Sequence, residues 1–210
     1  MSASLKGIRV LELAQIMAGP TCGLLLADLG AEVIKIEKTP SGDDTRNFLP
    51  PDINGESAAF MMMNRNKKGI ALNLKDKDGI EIFKRMIKNS DVVLENFRKG
   101  TLDKLGVGYE VISKINPKII LCEISGYGRT GPYADKGGFD LVAQGMSGLM
   151  SITGESKEKP PMKVGAPITD ITAGLLAASG ILAAIIHRNK TGEGQKVDTS
   201  LFEAGIVHTY

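Results

Sequence analysis

The 210-residue sequence has no tryptophan, two cysteines, two histidines and only 5% aromatic residues. Cys22 and Cys122 stand far apart and offer neither a disulfide framework nor metal-ligand spacing, so a reducing, cytoplasmic setting is the default expectation. His187 and His208 add no metal constellation. Neither charge dominates. The 26 basic and 24 acidic side chains leave a formal charge of +2 without a basic stripe, which points away from nucleic acid or an anionic membrane as the primary partner. The longest strongly apolar stretch, residues 171–186, contains Thr172, Gly174, Ser179 and Gly180 and falls short of the about 20 residues that a bilayer span needs. It reads as a buried helix. The start, Met1-Ser2-Ala3-Ser4-Leu5-Lys6, lacks the apolar core of a secretion signal.

What is present is 42% hydrophobic residues, 25 glycines and a regular rhythm. At roughly 150 residues per domain, the length suits one large domain with an ample core. β-Branched runs at residues 8–13 and 33–37 flank a helical pattern at 22–29 that Gly30 ends, which makes a parallel βαβ unit. The rhythm continues with a strand at 70–74, a helix at 78–88, a strand at 91–95, a helix near 109–115 and a strand at 118–123. Such alternation implies an α/β fold, a parallel sheet covered by helices. A helix over 170–187 and a short strand at 195–198 follow, and residues 200–210 begin another apolar helical pattern. Two segments break the rhythm, 38–68 and 125–169, both rich in Gly, Pro, Asp and Asn, and loops of that length are usually functional.

Ligands of such sheets gather beyond the carboxyl ends of the strands, so the loops after Leu13, Glu37, Glu95 and Glu123 carry the candidates. The first, Ala14-Gln15-Ile16-Met17-Ala18-Gly19-Pro20, does not match G-x-G-x-x-G, which disfavours an NAD site. Lys38 follows Glu37 where a phosphorylated adenosine would meet a cation, although a lone lysine is more often a solvated one. Asn96-Phe97-Arg98 offers an amide, an aromatic face and a guanidinium, a set that suits adenine and its phosphates; a polar turn beside a core phenylalanine is the plainer reading. Asp170 directly precedes the long apolar helix. Capping of that helix is the commoner role for such a residue. A carboxylate held ionised by the helix dipole also serves as a nucleophile without a separate base, and position alone leaves both roles open. Met61-Met62-Met63 reads as core filler, and His187 as a basic residue at a helix end.

Leu5-Lys6-Gly7-Ile8-Arg9-Val10-Leu11, Ala18-Gly19-Pro20, Leu29-Gly30-Ala31-Glu32-Val33-Ile34-Lys35-Ile36-Glu37, Gly42-Asp43, Asn66-Lys67-Lys68, Glu95-Asn96-Phe97-Arg98 and Lys190-Thr191-Gly192-Glu193-Gly194-Gln195 occur in one order along the chain. Together they resemble the class III coenzyme A-transferase family, which includes formyl-CoA and carnitine-type CoA-transferases and the divergent α-methylacyl-CoA racemases. The resemblance implies a Rossmann-like CoA-binding domain over residues 1–199 that carries a catalytic aspartate. Residues 200–210 would then start a helix leading into a C-terminal part of a longer, interlocked homodimer. It implies an enzyme in which Asp170 passes CoA between an acyl-CoA and a carboxylic acid through covalent aspartyl intermediates. By the same carry-over, Gln15, Met17, Ala18, Lys38, Leu72, Asn96, Phe97, Arg98 and Lys104 line the CoA site, with no metal and no NAD. Lys38 and Lys104 stand where formyl-CoA transferase has arginines, and Gln15 where it has a histidine. The racemase branch carries a histidine where this chain has Phe139 in Gly137-Gly138-Phe139-Asp140, and phenylalanine cannot move a proton. That departure favours transferase over racemase. A non-catalytic CoA-binding fragment is the remaining alternative.

Overall fold

The computed structural model describes residues 3–209. Strands β1 (Arg9–Glu12) and β2 (Glu32–Glu37) enclose helix α1 (Ala18–Asp28). After a 3-10 turn at Asp44–Asn47 come a small hairpin of β3 (Asp52–Ile53) and β4 (Glu56–Ser57), helix α2 (Ala58–Asn64) and strand β5 (Lys68–Ala71). Helix α3 (Lys77–Ile87), strand β6 (Val92–Glu95), helices α4 (Thr101–Lys104) and α5 (Tyr109–Ile115) and strand β7 (Ile120–Ser125) follow. The chain continues through α6 (Asp140–Met146), α7 (Leu149–Thr153), the long α8 (Ile168–Thr191), β8 (Lys196–Ser200) and α9 (Leu201–Ile206).

Every pairing in the main sheet is parallel, and the spatial order is β5-β2-β1-β6-β7-β8. The chain winds outward from β1 in one direction through β2 and β5, then returns to β6 and winds the other way. This is the doubly wound arrangement, and its reversal point lies between β1 and β6. Alternation along each strand feeds two cores. Val10, Ala14, Val92, Leu94, Ile120 and Cys122 pack toward α1 and α8, whereas Leu11, Leu13, Val93 and Leu121 pack with Phe83, Ile87 and Ile112 on the face of α3 and α5.

Helix α8 is 24 residues long, longer than the expected 170–187, and by length and apolar composition it passes the test for a membrane-spanning helix. In the fold it packs as a core helix, burying Ala173, Ala177, Ile181, Ala184 and Ile185 beside α1 and the sheet. Gly174 permits the close crossing, because a Cβ there would stand 2.6 Å from the Ala18 carbonyl oxygen. Two expectations shift. The edge strand β5 begins at Lys68 rather than at residue 70, and its hydrophobic successor Leu72 lies beyond it, buried under the loop. The segments 38–68 and 125–169 are not structureless, since they hold β3, β4, α2, α6 and α7. Helix α9 packs on α8, with Leu201 and Ala204 in the same core as residues 1–199.

Candidate active site

The loops after β1, β6 and β7 converge at the reversal point of the sheet and enclose a cavity of about 330 Å³. Gln15, Met17 and Ala18 form one wall and Asn96, Phe97 and Arg98 the next; Phe139, just before α6, and Asp170, in the first turn of α8, complete it. Seven of the ten residues named above as candidates therefore meet in one place. Lys38, Leu72 and Lys104 do not line it. Lys38 follows β2, exposed and paired with Asp44 at 2.6 Å; Leu72 follows β5, its N–H donating to Glu37 O; Lys104 ends α4, exposed.

Asp170 does not cap α8. The helix begins at Ile168, so Asp170 sits inside its first turn, and no side-chain cap is made by the preceding Pro167. The free end is satisfied from another element. Asp140, at the start of α6, accepts from Thr169 N–H at 2.8 Å and Thr169 Oγ1 at 2.7 Å, which is capping chemistry supplied across space. Gln144 locks Asp140 in turn, donating from Nε2 at 2.7 Å while its Oε1 accepts from Val164 N–H. Asp170 is left facing the cavity. Burial first, and then the neighbouring Asp140 charge, push its carboxyl up to about 7. Burial thus opposes the ionisation that a helix N-terminus favours.

Asn96 spends its amide on the protein. Its Oδ1 accepts from Gln15 N–H at 2.9 Å and its Nδ2 donates to Gln15 O at 2.8 Å, so it ties the first two walls together. Arg98, Lys99 and Lys136 line the cavity and make no ion pair among the described residues. Such unpaired cations fit an anionic substrate. Where the segment after β7 returns, Gly126 and Gly138 stack backbone to backbone, and a Cβ on Gly126 would lie 2.6 Å from Gly138. That close approach brings Phe139 and Asp140 to the cavity.

Arg129 and Lys136 were not individually legible as site residues. Both belong to the 125–169 segment, whose length is the only local sign of function, and nothing in the sequence shows that Arg129 reaches back to donate to the Glu95 carboxylate and to Phe97 O at 3.1 Å. No cluster of His, Cys, Asp and Glu suited to a metal occurs among the described residues. Cys22 and Cys122 are both buried, free thiols; burial raises each.

Comparison with known proteins places the chain. Residues 5–209 match the model of CoA-transferase family III, and the chain belongs to that family. It is 46% identical over 205 residues to a succinate–glutarate CoA-transferase of Agrobacterium fabrum, covering 95% of this chain and 51% of that protein. A succinyl-CoA:glutarate CoA-transferase of Mus musculus is also 46% identical, with 97% of this chain and 46% of that protein covered. Among solved structures, a CAIB/BAIF family protein from Brucella suis superposes with a TM-score of 0.94 at 44% identity, over 99% of this chain and 55% of that one. The chain spans about half the length of the curated relatives it matches.

Proposed function

We propose that this chain supplies the CoA-facing part and the nucleophile of a CoA-transferase that moves coenzyme A from an acyl-CoA to a carboxylic acid. The observation that carries the reading is the placement of Asp170, a partly buried carboxylate without a hydrogen-bond partner among the described residues, on a cavity bordered by cations without an ion pair among them. The Asp170 carboxylate attacks the thioester carbonyl, the C–S bond breaks, and an acyl-aspartyl anhydride and a CoA thiolate result. The thiolate then attacks the aspartyl carbonyl and expels the donor acid as its carboxylate. The acceptor carboxylate opens the aspartyl-CoA thioester to a second anhydride, and the returning thiolate takes the new acyl group and frees Asp170. Covalent relay of this kind divides one difficult exchange and keeps the activated acyl group from water.

CoA is far longer than the cavity, and Lys38, Leu72 and Lys104 lie in elements that follow β2, β5 and β6 at the same carboxyl edge of the sheet. They would meet its adenosine end. The names of the relatives share dicarboxylic acids, so succinyl-CoA is the first donor to try and glutarate the first acceptor. A homodimer with a further C-terminal part, in the cytoplasm, completes the reading; Phe139, exposed in the cavity wall, would be covered there. The racemase alternative is opposed by Phe139 itself, which stands in the cavity wall and has no proton to give.

Incubation with succinyl-CoA followed by intact mass measurement should show an acyl or CoA adduct that is absent in Asp170→Ala. Adduct formation should rise with pH through about 7, because the nucleophile is the ionised form of a group that burial holds protonated below that value. Binding of CoA with no adduct would leave the racemase and the non-catalytic alternatives, and exchange of an α-proton with deuterated solvent would favour the racemase.

A further inference from the structure

Gly42-Asp43 and Asn66-Lys67-Lys68 belong to the strings that mark the family resemblance, yet neither string lines the cavity. Asp43 and Lys67 belong instead to a buried cluster with Glu12 and Lys35, whereas Lys68 is exposed and pairs with Glu32. Glu12 and Lys35, neighbours across the β1–β2 register, meet at 3.1 Å; Lys35 reaches Asp43 at 2.8 Å and Lys67 reaches Glu12 at 2.8 Å. None of these side chains is more than 2% exposed. Space for Glu12 comes from Gly23, where a Cβ would stand 1.8 Å from its carboxylate. Buried ion pairs contribute little net stability over apolar residues of the same shape, so stability alone does not explain four charges here.

Several of their other bonds go to the segment 14–20, while Lys67 Nζ also donates to Asn64 Oδ1 at 3.0 Å. Lys35 Nζ donates to Ala14 O at 2.9 Å, Lys67 Nζ donates to Pro20 O at 2.9 Å, and Ile16 N–H donates to both oxygens of Asp43, each at 3.3 Å. Thr45 holds Asp43 from the other side, through its N–H at 2.9 Å and its hydroxyl at 2.8 Å. Between the two lysine anchors Ile16 adopts φ +68°, a left-handed conformation that is a true outlier for a β-branched residue. Such a conformation persists only where its surroundings over-determine it. Burial alone would raise the Asp43 carboxyl, but the Lys35 ammonium and the Thr45 bonds hold it below the ordinary value, so the acceptor for Ile16 stays charged.

We propose that Asp43 is a positioning residue of the active site, which holds Ile16 in its left-handed conformation and thereby sets the Gln15–Ala18 wall opposite Asp170. The inference rests on the reading that this cavity takes acyl-CoA. Lys35, Glu12 and Lys67 act behind Asp43, pinning it and both ends of the loop.

The test uses the protein expressed from its full reading frame, with Asp43→Asn, Ile16→Gly, the double variant and Ile16→Pro. Hydrogen–deuterium exchange of peptides covering residues 14–20 reports the loop without reference to activity, and adduct formation from succinyl-CoA reports KM and kcat. Asp43→Asn keeps the shape of the side chain and removes its charge; exchange in 14–20 and KM should each rise about tenfold, the factor that strain at one such residue represents, with kcat changed less. Glycine adopts positive φ freely, so Ile16→Gly in the Asp43→Asn background should return both toward the wild-type values. Should Asp43→Asn fail to fold, Ile16→Pro, whose ring excludes positive φ, leaves every charge in place and should raise KM in the same way. Unchanged loop exchange in Asp43→Asn, a double variant no better than that single variant, or a normal KM in Ile16→Pro would each overturn the proposal. Absence of any adduct in the wild type, with the loop responding as expected, would instead overturn the transferase reading.

Discussion

Two charge clusters, one fully buried and one reaching the surface, support adjacent walls of the cavity, and they are built on opposite principles. The cluster under the Gln15–Ala18 wall sets two acids, Glu12 and Asp43, against two lysines, 35 and 67, and is balanced without any proton. The cluster under the Asn96–Lys99 wall sets three acids against two cations. Glu95, Glu123 and Asp198 stand side by side in register on β6, β7 and β8, answered by Arg129 and Lys196. Burial pushes the Glu95 carboxyl up to about 8 against the pull of Arg129, with the neighbouring Glu123 adding to the rise, and burial also raises Asp198. A proton held on Glu95 makes up the missing cation. Both clusters grip backbone: Glu95 accepts from Phe97 N–H while Arg129 donates to Phe97 O and, through its own N–H, to Asp198. One wall is thus held by acids and cations in equal number and the other by an excess of acid.

The largest effect should follow from unbalancing the first cluster. Glu12→Gln leaves Lys35 and Lys67 buried around a neutral amide, and urea denaturation should show a loss of ~3–5 kcal/mol. A loss no larger than that of a surface substitution would mean that the two lysines can shed their protons or reach water, and the contrast between the clusters would fail. Glu95→Gln should act in the opposite direction and only on one side of the pH scale. The native carboxyl binds its proton more tightly than an ordinary one of 4.5, so wild-type stability falls as pH rises from there to about 8. The amide removes that slope. Relative to wild type, the variant should gain stability steadily from about pH 5 up to about pH 8 and level off above it, followed by melting at several pH values. A gain that is flat across this range would assign the cluster's proton to another carboxyl.

Most of the sheet was open to reading from sequence because its strands are buried on both faces: Val92-Val93-Leu94 and Val33-Ile34-Lys35-Ile36 announce themselves as apolar, β-branched runs. The edge strand β5 did not, since Lys68-Gly69-Ile70-Ala71 has only one neighbour and is largely exposed, and the stronger hydrophobic signal of Leu72 and Leu74 belongs to the turn after it. The start of α8 was misread for a different reason. Its cap comes from Asp140, 29 positions earlier, and a contact of that range leaves no mark on the local pattern around Asp170. The same holds for the charge clusters. Lys35 and Glu12 look like solvent-facing alternates in a strand, and only the packing of α1 and the 43–45 turn over them shows otherwise. The loops after β1 and β6 were identifiable as the site because parallel topology alone dictates where ligands gather, whereas Arg129 depends on the path of a long segment that topology does not constrain.

The smallest expected effect separates burial from charge count as the cause of the second cluster's behaviour. Lys196 pairs with Glu123 at 2.7 Å but is 47% exposed, so water already screens it. If burial dominates, Lys196→Met should cost ~0.2–1 kcal/mol, as exposed pairs do, and the loss should shrink in high salt. The pH step ascribed to Glu95 should move up only slightly, because the cation nearest that carboxyl is Arg129, which remains. If instead the number of cations sets the proton's hold, removing one of two should shift the step far upward and cost as much as Glu12→Gln does in the first cluster. The second outcome would make the two clusters variants of a single design, differing by one missing lysine; the first would make exposure at the sheet's β8 end the reason that a wall of this cavity answers to pH.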